Sequence, residues 1–349
     1  MTAEFKIAGR KIGPSHPPFV ICELSGNHNG SLDRALTMID AAAETGCDAI
    51  KLQTYTADTL TLDCDGPGFR IEAGPWAGRT LHDLYAEAFT PYDWHAALFE
   101  RARQRGVTLF STPFDETAVE LLEGLDAPAY KIASFEAVDL PLIVRVARCG
   151  KPMIISTGLA SLAEMEEALR TAQTNGAAGV ALLHCVSAYP APIDEANVRT
   201  VPDLARRFGV VTGLSDHTPG TAAAVAAVAL GAAIIEKHFT LARADGGPDA
   251  AFSLEPAEFA ALTRDCKAAW SALGSATYDE LGSERAAAGH RRSLYVAAAV
   301  KAGEALTAAN IRSVRPGYGL APKHLPDILG RRAARDLAFG EPLDWSMVD

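Results

Sequence analysis

Two histidines, His217 and His238, stand at the ends of consecutive apolar runs that have the pattern of neighbouring β-strands. Two neutral imidazoles at one edge of a sheet suit a divalent metal that keeps open coordination positions. Such a metal polarises a carbonyl oxygen and lowers the pKa of bound water. If the two strands are adjacent, this spacing indicates metal-assisted chemistry at a carbonyl.

Other charged side chains occupy the C-terminal ends of further predicted strands. They are two carboxylates and two lysines, Glu23, Glu236, Lys51 and Lys131. Any one of them could be a solvated rim residue, but charged groups are seldom buried without a reason. Lysines surrounded by Ser and Thr hydroxyls make a cradle for phosphate or carboxylate groups. Together with a metal, such a cradle indicates a phosphorylated or carboxylated substrate that reacts at a carbonyl.

Several classes of protein fit this combination. Many barrel aldolases and isomerases match it, including a metal-dependent pyruvate aldolase. A zinc protease does not, because no H-E-x-x-H motif occurs. Lys131 would form a Schiff base only with a depressed pKa in an apolar pocket. A non-catalytic carbohydrate-binding or ice-binding protein built on the C-terminal region would have no use for two lysines and two histidines at strand ends.

The elements that must position these residues alternate strand and helix eight times. The predicted strands are residues 18–24, 49–53, 108–112, 129–132, 153–156, 180–184, 210–215 and 233–239. The helical patterns are residues 31–45, 91–105, 115–122, 141–149, 161–175, 198–208, 220–230 and 256–273. Eight such units close a TIM (β/α)8 barrel, an α/β fold whose active sites lie at the C-terminal end of the strands. An open doubly wound sheet is the alternative, but no dinucleotide fingerprint follows the first strand.

The pattern predicts two domains. Residues 1–275 form the catalytic barrel, residues 276–290 a small and polar linker, and residues 291–349 a second domain too small to be very stable alone. Within the tail, residues 300–306 and 337–343 have the pattern of one repeated hairpin. Residues 54–90 form a long loop after the second strand, with a helical pattern at 81–89, and such loops often serve as lids or walls of a site.

Composition limits the cellular locations and the kinds of binding partner that we expect for this protein. The chain has 349 residues and a net charge of −11, which argues against a nucleic-acid-binding surface. No apolar run is long enough for a membrane span, and the N-terminus lacks a signal-peptide pattern. The six cysteines are scattered without a C-x-x-C pair, so we expect reduced thiols in a cytoplasmic protein.

Ten short motifs, in this order along the chain, resemble the sialic acid synthase family of phosphoenolpyruvate-dependent nonulosonic acid synthases. Eight of them lie at residues 23–30, 51–53, 111–114, 130–134, 155–158, 213–217, 236–240 and 254–256. The other two, residues 291–293 and 315–317, resemble the antifreeze-like (SAF) domain that ends these synthases. The resemblance covers nearly the whole chain.

The resemblance implies a transferase reaction in which phosphoenolpyruvate and water condense with an N-acetylated aldose. The products are a nonulosonic acid and phosphate, formed through cleavage of a C–O bond. The implied metal is Mn²⁺, with Mg²⁺ or Co²⁺ as alternatives, and its ligands are His217 and His238.

The resemblance also implies a role for each site residue. The catalytic group is Glu23, Glu136, His217, Glu236 and His238. The phosphoenolpyruvate group is Lys51, Thr112, Lys131, Ser134, Ser156, Ser187 and Ser215. The sugar group is Glu23, Gln53, Tyr189, Asp249, Phe252 and Arg315. Arg315 would come from the tail of the partner subunit, which predicts a domain-swapped homodimer.

Departures from the sialic acid branch of the family bear on the sugar. That branch has asparagine at the position of Ser187, and His-Lys where this chain has Ala250 and Ala251, followed by Phe252. The wall is therefore less polar, which suits a 6-deoxy sugar that carries two acetamido groups. We expect 2,4-diacetamido-2,4,6-trideoxy-L-altrose as the substrate, with the sugars of N-acetylneuraminate or legionaminate synthesis as alternatives.

Overall fold

The computed structural model describes residues 3–349. The chain divides into two compact units and passes from the first to the second between Gly274 and Ser275. The predicted barrel domain ends one residue later, at 275.

The first unit contains a closed barrel of eight parallel strands, as the alternation predicts. A short antiparallel hairpin, β1 (Phe5–Ile7) and β2 (Arg10–Ile12), precedes it. The barrel strands are β3 (Phe19–Glu23), β4 (Ala49–Thr54), β5 (Thr108–Pro113), β6 (Tyr130–Ile132), β7 (Met153–Ser156), β8 (Val180–Cys185), β9 (Val211–Asp216) and β10 (Ile234–His238). Strand β10 pairs with both β9 and β3, which closes the barrel and excludes the open sheet.

Helices cover the outside of the barrel and begin where capping residues allow. They are α1 (Leu32–Glu44), α2 (Ala57–Leu60), α3 (Leu81–Ala88), α4 (His95–Arg105), α5 (Glu116–Gly124), α6 (Leu140–Ala147), α7 (Leu162–Thr174), α8 (Thr200–Phe208), α9 (Ala222–Ala229) and α10 (Pro256–Leu273). Ser31 caps α1 by accepting a hydrogen bond from the Arg34 amide, and Ser161 and Glu164 form a capping box at α7. Helix α4 ends at Gly106, whose φ of 68° is the left-handed conformation that glycine adopts without strain.

Strand alternation divides the barrel residues into two apolar clusters. Outward side chains such as Val20, Ile50 and Ile235 pack against the helices, and inward ones such as Phe19, Phe110 and Ile234 fill the N-terminal half of the barrel. Ile7 and Ile12 of the β1–β2 hairpin join the inner cluster. Because the apolar filling occupies the lower half only, polar side chains further along the same inward faces line the upper half.

The predicted long loop after the second barrel strand contains helices α2 and α3. Between them, residues 69–81 fold back on themselves, with an antiparallel bridge between Arg70 and Thr80. The second unit is built around strands β11 (Ser293–Val296) and β12 (Ile311–Val314), with a core that includes Leu294, Val300 and Leu343.

Two details of the second unit differ from the sequence-based expectation. Residues 300–306 and 337–343 do not form two separate hairpins, since Val300 and Leu337 exchange hydrogen bonds of 3.0 and 2.8 Å and thereby pair the two segments with each other. The predicted linker, residues 276–290, contains a 3-10 helix (Gly282–Glu284) and helix α11 (Arg285–Ala288). The alanines there favour a helical turn despite the polar surroundings. Helix α12 (Leu325–Ile328) lies further along.

In the described part of the chain, every helix is too short or too polar to cross a lipid bilayer. All six cysteines are free thiols.

Candidate active site

The upper half of the barrel interior brings the predicted site residues together. Register places His238 of β10 beside Glu23 of β3, and Glu23 beside Lys51 of β4. Glu236 lies beside Ser215 of β9, and Gln53 beside Thr112 of β5. Five strands therefore contribute inward side chains to one end of the barrel, which is the C-terminal end where barrel enzymes hold their active sites.

Two lysines and two carboxylates form a buried charge cluster at the centre. Lys51 Nζ lies 3.0 Å from Glu23 Oε2, 3.4 Å from Glu236 Oε1 and 3.1 Å from Thr112 Oγ1. Lys131 Nζ lies 3.8 Å from Glu236 Oε1 and donates to the Ile132 carbonyl at 3.0 Å. Opposite charges offset one another here, so both ammonium groups can be buried without a bound anion.

The cluster shifts the ionisation of its members in opposite directions. Burial raises the pKa of Glu23, although Lys51 opposes the shift. Burial would lower the pKa of Lys51 and raise that of Glu236, but the attraction between lysine and carboxylate outweighs it in both cases. Burial lowers the pKa of Lys131, which is close to only one carboxylate. Of the two carboxyl groups, Glu23 is therefore the one that more readily holds a proton.

Hydroxyl groups next to Lys131 form a candidate anion cradle. Ser134 Oγ accepts a 3.1 Å hydrogen bond from the Gly158 amide. A β-carbon at Gly158 would lie 2.8 Å from Ser134 Oγ and 2.2 Å from Ser187 Oγ, so only glycine fits between the two serines. Ser156 Oγ is buried without a hydrogen-bond partner among residues 3–349. Unused hydroxyls beside a buried ammonium group suit a phosphate.

The histidine pair has the hydrogen bonding of metal ligands, but its two rings differ in ionisation. Burial would lower the pKa of His217, but contact with Cys185 raises it. The two rings lie 5.3 Å apart. His217 Nδ1 lies 3.0 Å from the Val186 carbonyl and donates to it, which leaves Nε2 as a lone-pair donor. Burial, assisted by His217, lowers the pKa of His238 well below its usual range, and His238 Nδ1 has no partner in the described chain.

These two imidazoles fit the divalent metal that the sequence predicts. In residues 3–349 no three or more His, Cys, Asp or Glu side chains are grouped as a metal site, and the two histidines stay the predicted protein ligands. A two-histidine set leaves coordination positions for water or substrate. The Cys185 thiol lies 3.7 Å from His217 Nδ1; burial would raise its pKa, but His217 lowers it to about 7.

One side of the cavity is lined by aromatic rings. The Tyr189 ring lies 4.4 Å from the His217 ring and 5.4 Å from that of Phe252, which is 5.0 Å from the His238 ring. Beside this wall, Asp249 accepts a short hydrogen bond from Ser25, and burial raises its pKa to about 6. Gln53 donates to Glu23 Oε1 at 2.8 Å. The wall has an apolar face and a rim of hydrogen-bonding groups.

Two further predicted residues are Glu136 and Arg315. Glu136 ends a 3-10 helix (Ser134–Glu136) next to the cradle, and burial raises its pKa to about 7. Arg315 belongs to the second unit, follows β12 directly and is exposed. Its predicted role on a partner subunit stays a prediction.

The structure adds residues that the sequence did not single out. Trp76 donates through Nε1 to the Pro248 carbonyl at 2.7 Å, and its ring lies 5.8 Å from that of Tyr189. Behind the histidines, Lys237 forms a 2.7 Å ion pair with Asp216 on the outer face of the barrel. The sequence signal for this pair was its position. Lys237 and Asp216 come directly before His238 and His217 and therefore lie on the opposite faces of β10 and β9. For Trp76 the sequence offered no such signal, because the spacing of residues in a loop does not determine where a side chain points.

Fold and site together define an α/β-barrel enzyme with a candidate anion cradle beside a histidine pair. Comparison with protein families matches residues 38–278 to the NeuB family and residues 291–349 to the SAF domain. The chain belongs to the NeuB family, which confirms the resemblance that its motifs indicated.

Characterised relatives refine this assignment. The chain is 43% identical to pseudaminic acid synthase of Campylobacter jejuni (strain 81-176), over 94% of this chain and 96% of the relative. Its identity to pseudaminic acid synthase of Helicobacter pylori is also 43%, over 95% and 98% of the two chains. The N,N'-diacetyllegionaminic acid synthase of C. jejuni is 34% identical, over 91% and 96%.

A solved structure supports the same fold. It is N-acetylneuraminic acid (sialic acid) synthetase from Leptospira borgpetersenii in complex with citrate, which superimposes with a TM-score of 0.74 at 32% identity. The match covers 82% of this chain and 95% of that one.

Proposed function

We propose that this protein is a pseudaminic acid synthase. It condenses phosphoenolpyruvate with 2,4-diacetamido-2,4,6-trideoxy-L-altrose and water, and releases pseudaminic acid and phosphate. The observation that favours this activity is a buried lysine and hydroxyl cradle that shares one barrel end with a histidine pair and an aromatic wall. The greater identity to pseudaminic acid synthases than to the legionaminic acid synthase supports the choice of sugar.

Phosphoenolpyruvate is proposed to bind across the two lysines. Lys131 lies at the cradle formed by Ser134, Ser187 and the Gly158 amide, which suits the phosphate. Lys51 lies beside Thr112, and Ser215 donates to Glu236 at 3.1 Å, so these groups are in reach of a carboxylate. A bound anion takes over part of the electrostatic interaction that the lysines otherwise make with Glu23 and Glu236.

The sugar is proposed to lie between the phosphoenolpyruvate site and the aromatic wall. Gln53 orients Glu23, and Ser25 orients Asp249, so that both carboxyl groups can accept hydrogen bonds from the sugar. Tyr189 and Phe252 provide apolar surface for methyl groups. Arg315 of the partner subunit would contact an N-acetyl group in a domain-swapped homodimer.

His217 and His238 are proposed to hold the metal, with Mn²⁺ expected and Mg²⁺ or Co²⁺ as alternatives. When bound, a metal of this type supplies a Lewis acid that polarises the aldehyde oxygen of the open-chain sugar. The chain's own contribution is to orient His217, whose tautomer the Val186 carbonyl fixes, and to keep His238 neutral by burial.

The bonds change as follows. Carbon three of phosphoenolpyruvate forms a bond to the aldehyde carbon, and the aldehyde oxygen takes up a proton. Water adds to carbon two and gives up one proton. The bond between carbon two and the phosphate oxygen then breaks as the added hydroxyl becomes the carbonyl group of the product, and the proton of that hydroxyl leaves with the phosphate. Glu136, whose pKa burial raises to about 7, can hold or release a proton beside the cradle at neutral pH.

The test is phosphate release with Mn²⁺ and each of three sugars: the diacetamido-trideoxy-altrose, N-acetylmannosamine and the diacetamido-trideoxy-mannose. We expect release with the first sugar, and loss of release when the metal is chelated or when His238 is replaced in His238→Ala. Release with N-acetylmannosamine or the mannose derivative alone would assign sialic or legionaminic acid synthesis instead. Turnover of pyruvate without phosphate release would indicate an aldolase, and full activity of His238→Ala without metal would reject the metal site.

Location and assembly are part of the proposal. Six free cysteines, four of them buried, fit a reducing compartment, and we propose a cytoplasmic enzyme. The homodimer rests on the family resemblance of the tail around Arg315.

A further inference from the structure

The loop after β4 places a tryptophan against the sugar side of the cavity. Residues 69–81 form a hairpin in which the Ile71 amide donates to the Arg79 carbonyl at 2.9 Å and the Gly78 amide to the Ile71 carbonyl at 2.8 Å. Gly74 and Gly78 have φ values of 87° and 89°, which the tight tip between them requires. Trp76 stands at this tip.

The Trp76 side chain is fixed at both of its ends. Its only polar atom, Nε1, donates to the Pro248 carbonyl at 2.7 Å, directly before Asp249. Its ring lies 5.8 Å from the Tyr189 ring, which lies 4.4 Å from that of His217. Trp76 therefore continues the aromatic wall from the metal-ligating histidines to the rim.

Packing alone does not account for this residue. Trp76 is half-buried and belongs to neither apolar cluster of the barrel in the described chain. The neighbouring hairpin residues 72–75 are exposed. A side chain that served only to hold the hairpin would more usually be covered by the core.

We propose that Trp76 is a specificity-determining residue that selects a methyl group, and not a hydroxymethyl group, at the far end of the sugar. This inference rests on the proposed function and deepens it. The indole has one hydrogen-bond donor, which Pro248 occupies, so the ring has nothing to offer a sugar hydroxyl. A hydroxyl placed against it loses its water and gains no partner, whereas a methyl is buried favourably.

The test compares two sugars that differ only at carbon six. They are 2,4-diacetamido-2,4,6-trideoxy-L-altrose and the same sugar with a 6-hydroxyl group. We expect Trp76→Gln to reduce the preference in kcat/KM for the 6-deoxy sugar on the order of tenfold or more, within the range known for apolar pockets. Trp76→Phe should keep the preference within about threefold, and the KM for phosphoenolpyruvate should not change in either variant.

Trp270 provides a matched control, because it also donates to a proline carbonyl, that of Pro14 at 3.2 Å, but from helix α10 outside the barrel. Trp270→Gln should leave the sugar preference unchanged. An unchanged preference in Trp76→Gln, or an equal loss with both sugars, would overturn the inference while leaving the proposed function intact. A wild-type enzyme that uses neither sugar would overturn both.

A binding measurement covers the case in which Trp76→Gln does not fold. The chain has four tryptophans, and the 6-deoxy sugar without phosphoenolpyruvate should change their fluorescence in the wild-type enzyme. Trp76→Phe should abolish this change and Trp270→Phe should retain it. Retention in Trp76→Phe would contradict contact between sugar and indole.

Discussion

At the scale of single residues, burial sets the ionisation of the site. Along a barrel strand the inward side chains are apolar at the start and polar at the end, as in Phe19, Ile21 and Glu23. Carboxyl groups therefore lie above the apolar side chains that fill the barrel. Burial raises the pKa of Glu136 by more than Lys131 lowers it, whereas at Glu236 two converging lysines outweigh burial and lower the pKa. The cavity therefore holds both protonated and ionised carboxyl groups at neutral pH.

Glu136 gives a prediction for pH dependence. Burial raises its pKa to about 7, Lys131 opposes this rise, Asp139 adds to it, and the Tyr85 hydroxyl faces the same carboxyl. Glu136 is protonated below that pKa and negative above it, so binding of the phosphoenolpyruvate anion favours the protonated form. We expect the wild-type KM for phosphoenolpyruvate to rise about threefold to tenfold relative to Glu136→Gln between pH 7 and 8.5.

The measurement is KM for phosphoenolpyruvate across this pH range in both proteins, so that ionisation of the substrate itself cancels in the ratio. Parallel profiles would show that Glu136 does not titrate beside the anion.

At the scale of elements, the last two barrel strands carry an ion pair behind His217 and His238, the two histidines proposed to bind the metal. Lys237 and Asp216 are direct neighbours across β10 and β9, and both side chains are almost fully buried. Asp216 Oδ1 also accepts from the Thr218 amide at 2.9 Å and from its hydroxyl at 2.8 Å, and Lys237 donates to the Thr218 carbonyl. This network fixes the backbone on both sides of His217, so its role is to position that ligand.

Variants of this pair should separate stability from metal binding. Lys237→Met leaves Asp216 buried and unpaired, and we expect it to cost roughly 3–5 kcal/mol of unfolding free energy. Adding Asp216→Leu should restore most of that stability, because two apolar side chains pack without a charge. The Mn²⁺ affinity of the double variant should still fall about tenfold to 100-fold, because the support of His217 is lost.

Urea unfolding and Mn²⁺ titration provide the two readouts. A double variant with wild-type Mn²⁺ affinity would show that the pair serves the barrel alone.

At the scale of the whole molecule, the second unit has its own small core and carries Arg315 on its surface. We predict that Arg315→Ala raises the KM for the sugar and leaves that for phosphoenolpyruvate unchanged. The swapped homodimer can be tested by mixing two impaired proteins and measuring activity at a sugar concentration far below the KM of Arg315→Ala. Arg315→Ala has an intact barrel and His238→Ala an intact tail, so a swapped mixed dimer contains one complete site.

Random mixing should restore roughly a quarter of the wild-type activity, because half of the dimers are mixed and each has one intact site of two. No recovery from a demonstrably mixed population would exclude the swap, and equal rises in both KM values for Arg315→Ala would argue against a sugar contact.

The sequence by itself determined the barrel, the eight strands and which residues face inward. Each strand is short, apolar and alternating, and the period of two assigns Lys51, Glu236 and His238 to the interior wherever the strand lies. Capping residues such as Ser31 and Ser161 set the helix starts locally, without reference to the rest of the fold.

Only the tertiary structure decided what the connecting segments bring to the site. The contact of Trp76 with Pro248, the hydrogen bond from Ser25 to Asp249 and the fit of Gly158 between two serines join residues far apart in the chain. No local period fixes the direction of a loop, so these contacts depend on closure of the barrel, which brings loops from different strands to the same end.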